Sequence, residues 1–126
     1  MAKVFLDSNY IIETVGLRQS AHRSQKLGYH ILYLSPLSIH ILCYVFKVKI
    51  PSSTLEKLLT QIHPVPLTGR VLEAALKGPT DDLEDNLQLC SATEADCEYF
   101  LTNDQALLKM GVFGKTKIVN GLPQSK

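Results

Sequence analysis

The stretch Lys3-Val4-Phe5-Leu6-Asp7-Ser8-Asn9 decides how the chain begins to fold. Its apolar part, Lys3–Leu6, predicts a buried β-strand, and the polar residues after it predict the start of a helix over Ser8–Val15. Asp7 or Ser8 is the expected N-cap of that helix. A strand that passes directly into a helix is typical of β-α units, which build parallel sheets.

The alternation of strands and helices continues to the end of the chain. Further strands are predicted over residues 31–34, 98–101 and 117–119, with an extended segment over 62–67. Helices are predicted over residues 20–27, 35–47, 51–61, 68–77, 81–95 and 103–110. We therefore predict an α/β fold, a three-layer α/β/α sandwich around a central parallel sheet of four to five strands. It forms one domain over residues 1–122, followed by a disordered tail at 123–126.

The composition is that of an ordinary globular domain. The 126 residues are 45% hydrophobic and 20% charged, with a net charge of +1. A chain this close to neutral carries no global signal for binding polyanions, so any contact with nucleic acid must come from a local basic group. Arg18, Arg23 and Lys26, with Lys47 and Lys49 nearby in sequence, are the candidate RNA-facing rim; a solvated helix face is the alternative.

Cysteine usage and the N-terminus predict a cytoplasmic protein. The three cysteines are an odd number without CxxC spacing, which favours a reducing compartment. The opening residues have no signal-peptide layout. The longest apolar stretch, Ile39–Phe46, is interrupted by His40 and is too short to span a membrane.

Three aspartates are the candidate site. Asp7 and Asp104 follow predicted strands, and Asp85 lies in the first turn of a predicted helix. Sites in open α/β sheets form at the carboxyl ends of the strands, where these carboxylates would repel one another unless a cation lay between them. Hard oxygen ligands suit Mg²⁺ or Mn²⁺, which indicates metal-assisted phosphodiester chemistry.

Each aspartate also has a simpler interpretation. Asp7 and Asp104 can serve as N-caps, and Asp85 can complement the dipole of its helix. A one-turn slip would exchange the roles of Asp82 and Asp85. A shared metal site requires the three carboxylates to lie close together, whereas separate capping and dipole roles do not.

Three motifs, in this order, resemble those of PIN domains. They are Val4–Asn9, Leu83–Gln88 continuing into Ser91-Ala92, and Tyr99–Asp104, and the resemblance covers essentially the whole chain. It implies a metal-dependent ribonuclease, and many proteins of this size in the family are toxins of toxin–antitoxin pairs. Residue by residue, Asp7, Asp85 and Asp104 match the metal-binding acids, and Ser8 and Thr102 match the polar residues that support them.

The second motif departs from the family pattern. The family places a glutamate on the helix after the second strand, and here that position falls at Ile41 or, after a one-residue slip, at His40. With three acids, one metal ion is favoured over two. His40 is a candidate substitute ligand or base, and its nitrogen suits Mn²⁺ better than Mg²⁺. A surface or hydrogen-bonded histidine is the alternative.

The predicted function is hydrolysis of RNA by a metal-dependent toxin, with activity weakened by the missing glutamate. The alternative is a catalytically inactive PIN-like module that binds RNA or a protein partner. A response-regulator-like domain also uses acids at strand ends, but no lysine follows a strand near these acids. The resemblance and the apolar helix at Ile39–Phe46 together predict a homodimer or a higher assembly.

Overall fold

Strands and helices alternate along most of the chain. The computed structural model describes residues 1–16 and 27–123. Within this part the strands are β1 (Lys3–Leu6), β2 (Ile31–Leu34), β3 (Ile62–Pro64), β4 (Tyr99–Leu101), β5 (Val112–Phe113) and β6 (Thr116–Val119). The helices are α1 (Ser8–Gly16), α2 (Pro36–Phe46), α3 (Ser53–Leu58), α4 (Gly69–Ala75), α5 (Leu83–Glu94) and α6 (Gln105–Met110). The predicted α/β fold is confirmed.

The described strands form one sheet in the order β3-β2-β1-β4-β6-β5. Every neighbouring pair is parallel except β5 and β6, which are antiparallel. The prediction of a central parallel sheet of four to five strands therefore holds for five strands, and the structure adds a sixth strand that pairs antiparallel at the edge. The sixth strand, β5, has only two residues and turns back onto β6 through Gly114, whose φ is +61°. So short a strand has no periodicity to detect, and its hairpin depends on a glycine that tolerates positive φ.

Helices cover both faces of the sheet. Val4 and Leu6 of β1 point into a core that includes Tyr10 and Ile11 of α1 and Leu42 of α2. Phe5 points to the opposite face, into a core built with Leu89 and Ala92 of α5, Phe100 of β4 and Leu107 of α6. The rings of Phe5 and Phe100 stack with centroids 5.5 Å apart. Side chains alternate between the two faces of a strand, so strands buried on both sides read as continuous apolar runs.

Local capping signals set the ends of several helices. Ser35 is the N-cap of α2, its hydroxyl accepting from the backbone N–H of Leu37 at 3.1 Å, and Pro36 occupies the first helical position as predicted. Thr68 caps α4 in the same way. The helix predicted over residues 51–61 is shorter than expected. Ser52 is its N-cap, and the helix ends at Leu58.

Two predicted segments lie outside the described residues. The helix predicted over residues 20–27 falls there except for its last residue, and so does the tail except for Pro123. In the part of the chain that the structure describes, no helix has both the length and the apolar character needed to cross a membrane.

The order of the strands places the site. β1 pairs with β2 on one side and with β4 on the other, all three running parallel. Their carboxyl ends therefore meet at one edge, where β1 leads into α1, β2 into α2 and β4 into α6. Asp7, Ser35 and Thr102 are the residues that directly follow these strands. An open parallel sheet forms its binding crevice at this edge.

Candidate metal site at the carboxyl edge of the sheet

Asp7 is a buried carboxylate at the junction of β1 and α1. Its side chain is 1% exposed, and its Oδ2 accepts a 2.6 Å hydrogen bond from the hydroxyl of Thr102. Burial raises the pKa of Asp7 from 3.8 to about 6, because the charged form loses hydration. Hydrogen bonds from Thr102 and the Ser8 backbone lower the pKa in part, whereas the negative charges of Glu84 and Asp104 raise it.

Asp104 is brought to the same edge through Thr102. The backbone N–H of Asp104 donates to the Thr102 hydroxyl at 3.0 Å, so one buried hydroxyl contacts both aspartates. Asp104 is also the N-cap of α6, its Oδ1 accepting from the N–H of Leu107 at 3.1 Å. The capping role and the position beside Asp7 therefore coexist in one residue.

Asp85 is half-buried in the first turn of α5, and its charge is coupled to those of the other two aspartates. Burial is the largest cause that raises its pKa to about 6, followed by repulsion from Asp82, Asp7, Asp104 and Glu84. Asp82 is the exposed N-cap of the helix, its Oδ1 accepting from the N–H of Asp85 at 3.1 Å. The structure thus separates the two acids: Asp82 caps the helix, and Asp85 lies within the electrostatic reach of Asp7.

Glu84 acts electrostatically on the same acidic group, although the sequence analysis did not single it out. Its charge raises the pKa of both Asp7 and Asp85. Its own pKa is raised by partial burial and by Asp82. In the sequence, Glu84 could have been singled out because it lies four residues before Gln88, on the same face of α5. The Nε2 of Gln88 approaches the Oε2 of Glu84 at 3.5 Å.

A buried polar network supports Asp7 from behind. Gln88 is fully buried, and its side-chain oxygen accepts from the N–H of Ser8 at 2.9 Å while its Nε2 donates to the Ser8 hydroxyl at 2.7 Å. The hydroxyls of Ser8 and Ser38 lie 2.8 Å apart. The network therefore joins α1, α2 and α5 through the buried side chains of Ser8, Ser38 and Gln88. Ser8 belongs to this network and directly follows Asp7, whereas the sequence did not single out Gln88 or Ser38.

The helical register of α2 distinguishes Ile41 from His40. Successive residues of an α-helix are rotated by about 100°, so Ile41 lies about 60° from Ser38 around the helix axis and His40 about 160° from it. Ile41 is half-buried and His40 is exposed. The structure therefore does not bring His40 to the face that Ser38 presents to Ser8, whereas Ile41 lies on the side of α2 nearer to that face.

A second contact spans the edge of the site from α1. The side-chain N–H of Asn103 donates to Oε1 of Glu13 at 2.6 Å, joining the loop after β4 to α1. Both residues are at least partly exposed. The predicted RNA-binding residues Arg18, Arg23 and Lys26 lie outside the described residues.

The donor set is chemically suited to a hard divalent cation. Asp7, Glu84, Asp85 and Asp104 offer carboxylate oxygens, the ligands that Mg²⁺ and Mn²⁺ prefer. Over residues 1–16 and 27–123, however, no three His, Cys, Asp or Glu side chains form a group that could hold a metal ion as they stand. Asp85 and Asp104 are partly exposed and Glu84 is exposed, whereas Asp7 is buried.

Comparison with known proteins identifies no relative: neither the models of known protein families nor the curated proteins contain a match to this chain.

Proposed function

We propose that this protein is a metal-dependent endoribonuclease of the PIN type that hydrolyses RNA phosphodiesters with Mg²⁺ or Mn²⁺. The observation that supports this most directly is the position of the Thr102 hydroxyl, which donates to the carboxylate of Asp7 and accepts from the backbone N–H of Asp104, just after two adjacent parallel strands. Asp85 and Glu84 add charge of the same sign. A group of carboxylates that raise one another's pKa is stabilised by a bound cation.

The residues of the site have different tasks in this proposal. Asp7 is the fixed ligand, because Thr102 and the Ser8–Gln88 network hold its position. Asp85, Asp104 and Glu84 are the adjustable ligands at the solvent side. The divalent cation supplies positive charge against the scissile phosphate and the attacking water. Water adds across the P–O bond and leaves a phosphate monoester and a free hydroxyl.

Glu84 replaces part of what the α2 glutamate would supply. The family position falls at Ile41, which cannot bind a metal ion, but Glu84 approaches the group from α5. Asp7, Glu84, Asp85 and Asp104 then supply four carboxylates, of which Glu84 comes from α5 and not from α2. We expect a working site of reduced efficiency that is more active with Mn²⁺ than with Mg²⁺.

The decisive experiment incubates purified protein with single-stranded RNA in EDTA, Mg²⁺ or Mn²⁺, alongside Asp7→Asn. The proposal expects cleavage only with metal and a loss of about 10²-fold or more in the variant. Calorimetric titration with Mn²⁺ measures the metal site separately. A wild-type protein that neither binds Mn²⁺ nor cleaves RNA would contradict the proposal.

The second candidate function is a catalytically inactive PIN-like module that binds RNA or a protein. The observation in its favour is Ile41 at the glutamate position, together with the absence of a preformed three-ligand group in the described residues. It predicts RNA binding without metal-dependent cleavage. The same incubation, with binding followed by fluorescence anisotropy, distinguishes the two functions.

The biological setting proposed from the resemblance is a toxin paired with a small antitoxin in the cytoplasm. Induced expression should then arrest growth, and Asp7→Asn should relieve the arrest at equal protein level. Homodimer formation and RNA binding by Arg18, Arg23 and Lys26 stay predictions of the sequence. Light scattering over a range of concentrations tests the first, and the triple alanine variant in the anisotropy assay tests the second.

A further inference from the structure

The end of α2 and the loop after it expose an unusual number of large apolar side chains. Tyr44 is 81% exposed, Ile50 is 75% exposed, and Val45 and Phe46 are exposed as well. Single exposed apolar residues are common, whereas Tyr44, Val45, Phe46 and Ile50 place four of them within seven residues at the end of α2 and in the loop after it. Concentrations of exposed apolar side chains of this kind mark interaction sites.

A groove is lined in part by Leu42 of the same helix, two residues before the exposed Tyr44. It has a volume of about 230 Å³ and is lined by Leu42, Thr54, Leu55, Lys57, Leu58 and Gln61. Its walls are the buried side of α2 and one face of α3. The four exposed residues and this groove together are called the α2–α3 surface below. A groove with leucine walls accepts an apolar side chain of a partner.

The charged residues around the surface are mostly basic. Lys47, Lys49 and Lys57 are exposed, and Glu56 is the acidic residue among them. An apolar groove between lysines complements a segment that carries apolar residues on one face and carboxylates beside them.

Lys47 has a backbone conformation that is unfavourable for a lysine. It ends α2 in the left-handed region with φ +53° and ψ +44°, and its N–H donates to the carbonyl of Cys43. Glycine is the usual residue at this position, because a side chain there costs on the order of 1 kcal/mol. Lys47 is exposed, so its charge faces solvent at the end of α2.

The surface is separate from the acidic site. Ser38, which contacts Ser8, and Lys47 are nine residues apart on α2, a distance of about 13 Å along the helix axis. Substitutions at the exposed end of α2 therefore leave the contacts of Asp7, Thr102 and Gln88 in place. The surface can be tested whether or not the site binds a metal ion.

We propose that the α2–α3 surface binds an acidic amphipathic segment of a different protein. A second copy of this chain is a poorer occupant, because a twofold contact would bring Lys47, Lys49 and Lys57 together with the same residues of the copy. RNA is also a poorer occupant, because Leu42, Leu55 and Leu58 line a groove that gives its phosphates nothing to bind. The proposal extends beyond the nuclease function and does not depend on it.

The test uses labelled synthetic peptides of about 16 residues, with leucines at helical spacing and glutamates at the other positions. A peptide with lysines in place of the glutamates tests charge, and a scrambled acidic peptide tests the apolar face. Fluorescence anisotropy with the full chain should show the acidic amphipathic peptide binding at least about tenfold more tightly than either control. Its affinity should fall with added salt.

Variants locate the binding. Tyr44→Ser and Ile50→Ser should each weaken the peptide complex by about tenfold, whereas Leu76→Ser, at an equally exposed leucine after α4, should not. Lys47→Gly should raise the melting temperature and weaken peptide binding at the same time. Lys115→Ala is the control for an exposed lysine elsewhere. Because Lys47→Gly should stabilise the fold while weakening the peptide complex, the loss of binding could not be attributed to a loss of structure.

Three results would overturn the proposal. One is equal binding of the acidic and basic peptides, or binding that Tyr44→Ser and Ile50→Ser leave unchanged. Another is a single-stranded RNA that binds through Lys47 and Lys49 and displaces the peptide. The third is a homodimer that Tyr44→Ser dissociates and that binds no peptide. None of these results depends on RNA cleavage or Mn²⁺ binding, so they are distinct from a failure of the nuclease proposal.

Discussion

The hydroxyl of Thr102 donates a 2.6 Å hydrogen bond to Oδ2 of Asp7, a residue 95 positions earlier in the chain. Both side chains are buried, and the pairing of β1 with β4 holds them together. The same hydroxyl accepts the N–H of Asp104. One small side chain thus bonds to the carboxylate of Asp7 and to the backbone of Asp104.

Thr102→Val should weaken metal binding as well as the fold. Valine matches threonine in shape but cannot donate to Asp7, and a buried acceptor that loses its partner costs about 1–3 kcal/mol. Thr116→Val is the matched control, since Thr116 is equally buried and donates at 2.8 Å to the carbonyl of Cys97, away from the acids. Urea unfolding should show both losses, whereas Mn²⁺ titration should show a loss only for Thr102→Val. Equal Mn²⁺ affinity in both variants would argue against Asp7 as a ligand.

The stability of the metal-free protein should fall as the pH rises from about 4 to 6. Asp7 and Asp85 ionise near 3.8 when unperturbed and near 6 in the folded chain, so the folded state holds more protons in this window. Stabilisation by protonation is complete below the unfolded pKa and is lost above the folded one. For buried Asp7 the shift corresponds to about 3 kcal/mol, and partly exposed Asp85 adds less because solvent screens it.

Urea unfolding in EDTA at pH 5 and pH 8 measures this dependence. Asp7→Asn should flatten it and should be the more stable protein at pH 8, while losing the stabilisation that Mn²⁺ gives the wild type. If Asp7→Asn unfolds the protein with and without metal, Asp7 is chiefly a structural residue.

Gln88→Leu should destabilise the protein by about 1–3 kcal/mol, although leucine is apolar and the position is fully buried. The substitution leaves the N–H of Ser8 without its buried acceptor and removes one of the two partners of the Ser8 hydroxyl, which keeps its contact with Ser38. Gln105→Leu, at an exposed glutamine that begins α6, should be nearly neutral. Thermal melts of both variants provide the comparison, and a neutral Gln88→Leu would mean that the network adds no net stability.

Glu84→Gln should lower the affinity for Mn²⁺ and the pKa of Asp7, because it removes a negative charge that acts on Asp7. Glu73→Gln, an exposed substitution on α4, is the control. NMR titration of the Asp7 carboxyl reports the pKa, and calorimetry reports the metal affinity. Unchanged Mn²⁺ binding in Glu84→Gln would remove it from the ligand set.

Ile41→Glu should raise Mn²⁺ affinity and RNA cleavage, because it restores a carboxylate on the Ser38 side of α2. A useful ligand contributes on the order of 10²-fold in rate. His40→Glu, at the exposed neighbour, should change neither property. If Ile41→Glu instead unfolds the protein, the new carboxylate is buried away from the cation, where it costs several kcal/mol. Wild-type cleavage as fast as that of Ile41→Glu would mean that the site does not need this carboxylate.

Local signals in the sequence were enough to predict most of the elements. Ser35-Pro36 and Thr68 are capping signals that act within one helical turn, and the apolar runs at Val4–Leu6 and Phe100-Leu101 mark buried strands by themselves. The alternation of these elements predicts a largely parallel sheet, because parallel strands are joined by crossover connections, which are usually helices. Asp7 and Asp104 could therefore be assigned to strand ends from the sequence alone.

Tertiary structure alone decided which side chains meet. In the sequence Gln88 is indistinguishable from any other polar residue of a helix. Its role depends on its hydrogen bonds to Ser8, which is 80 positions away. The clustering of carboxylates in the sequence suggested mutual repulsion, but burial is the main cause of the raised pKa of Asp7. Burial depends on how the two hydrophobic cores pack around the residue. The exposure of Tyr44 follows from the fold in the same way, because periodicity locates an apolar face and only packing determines whether it is covered.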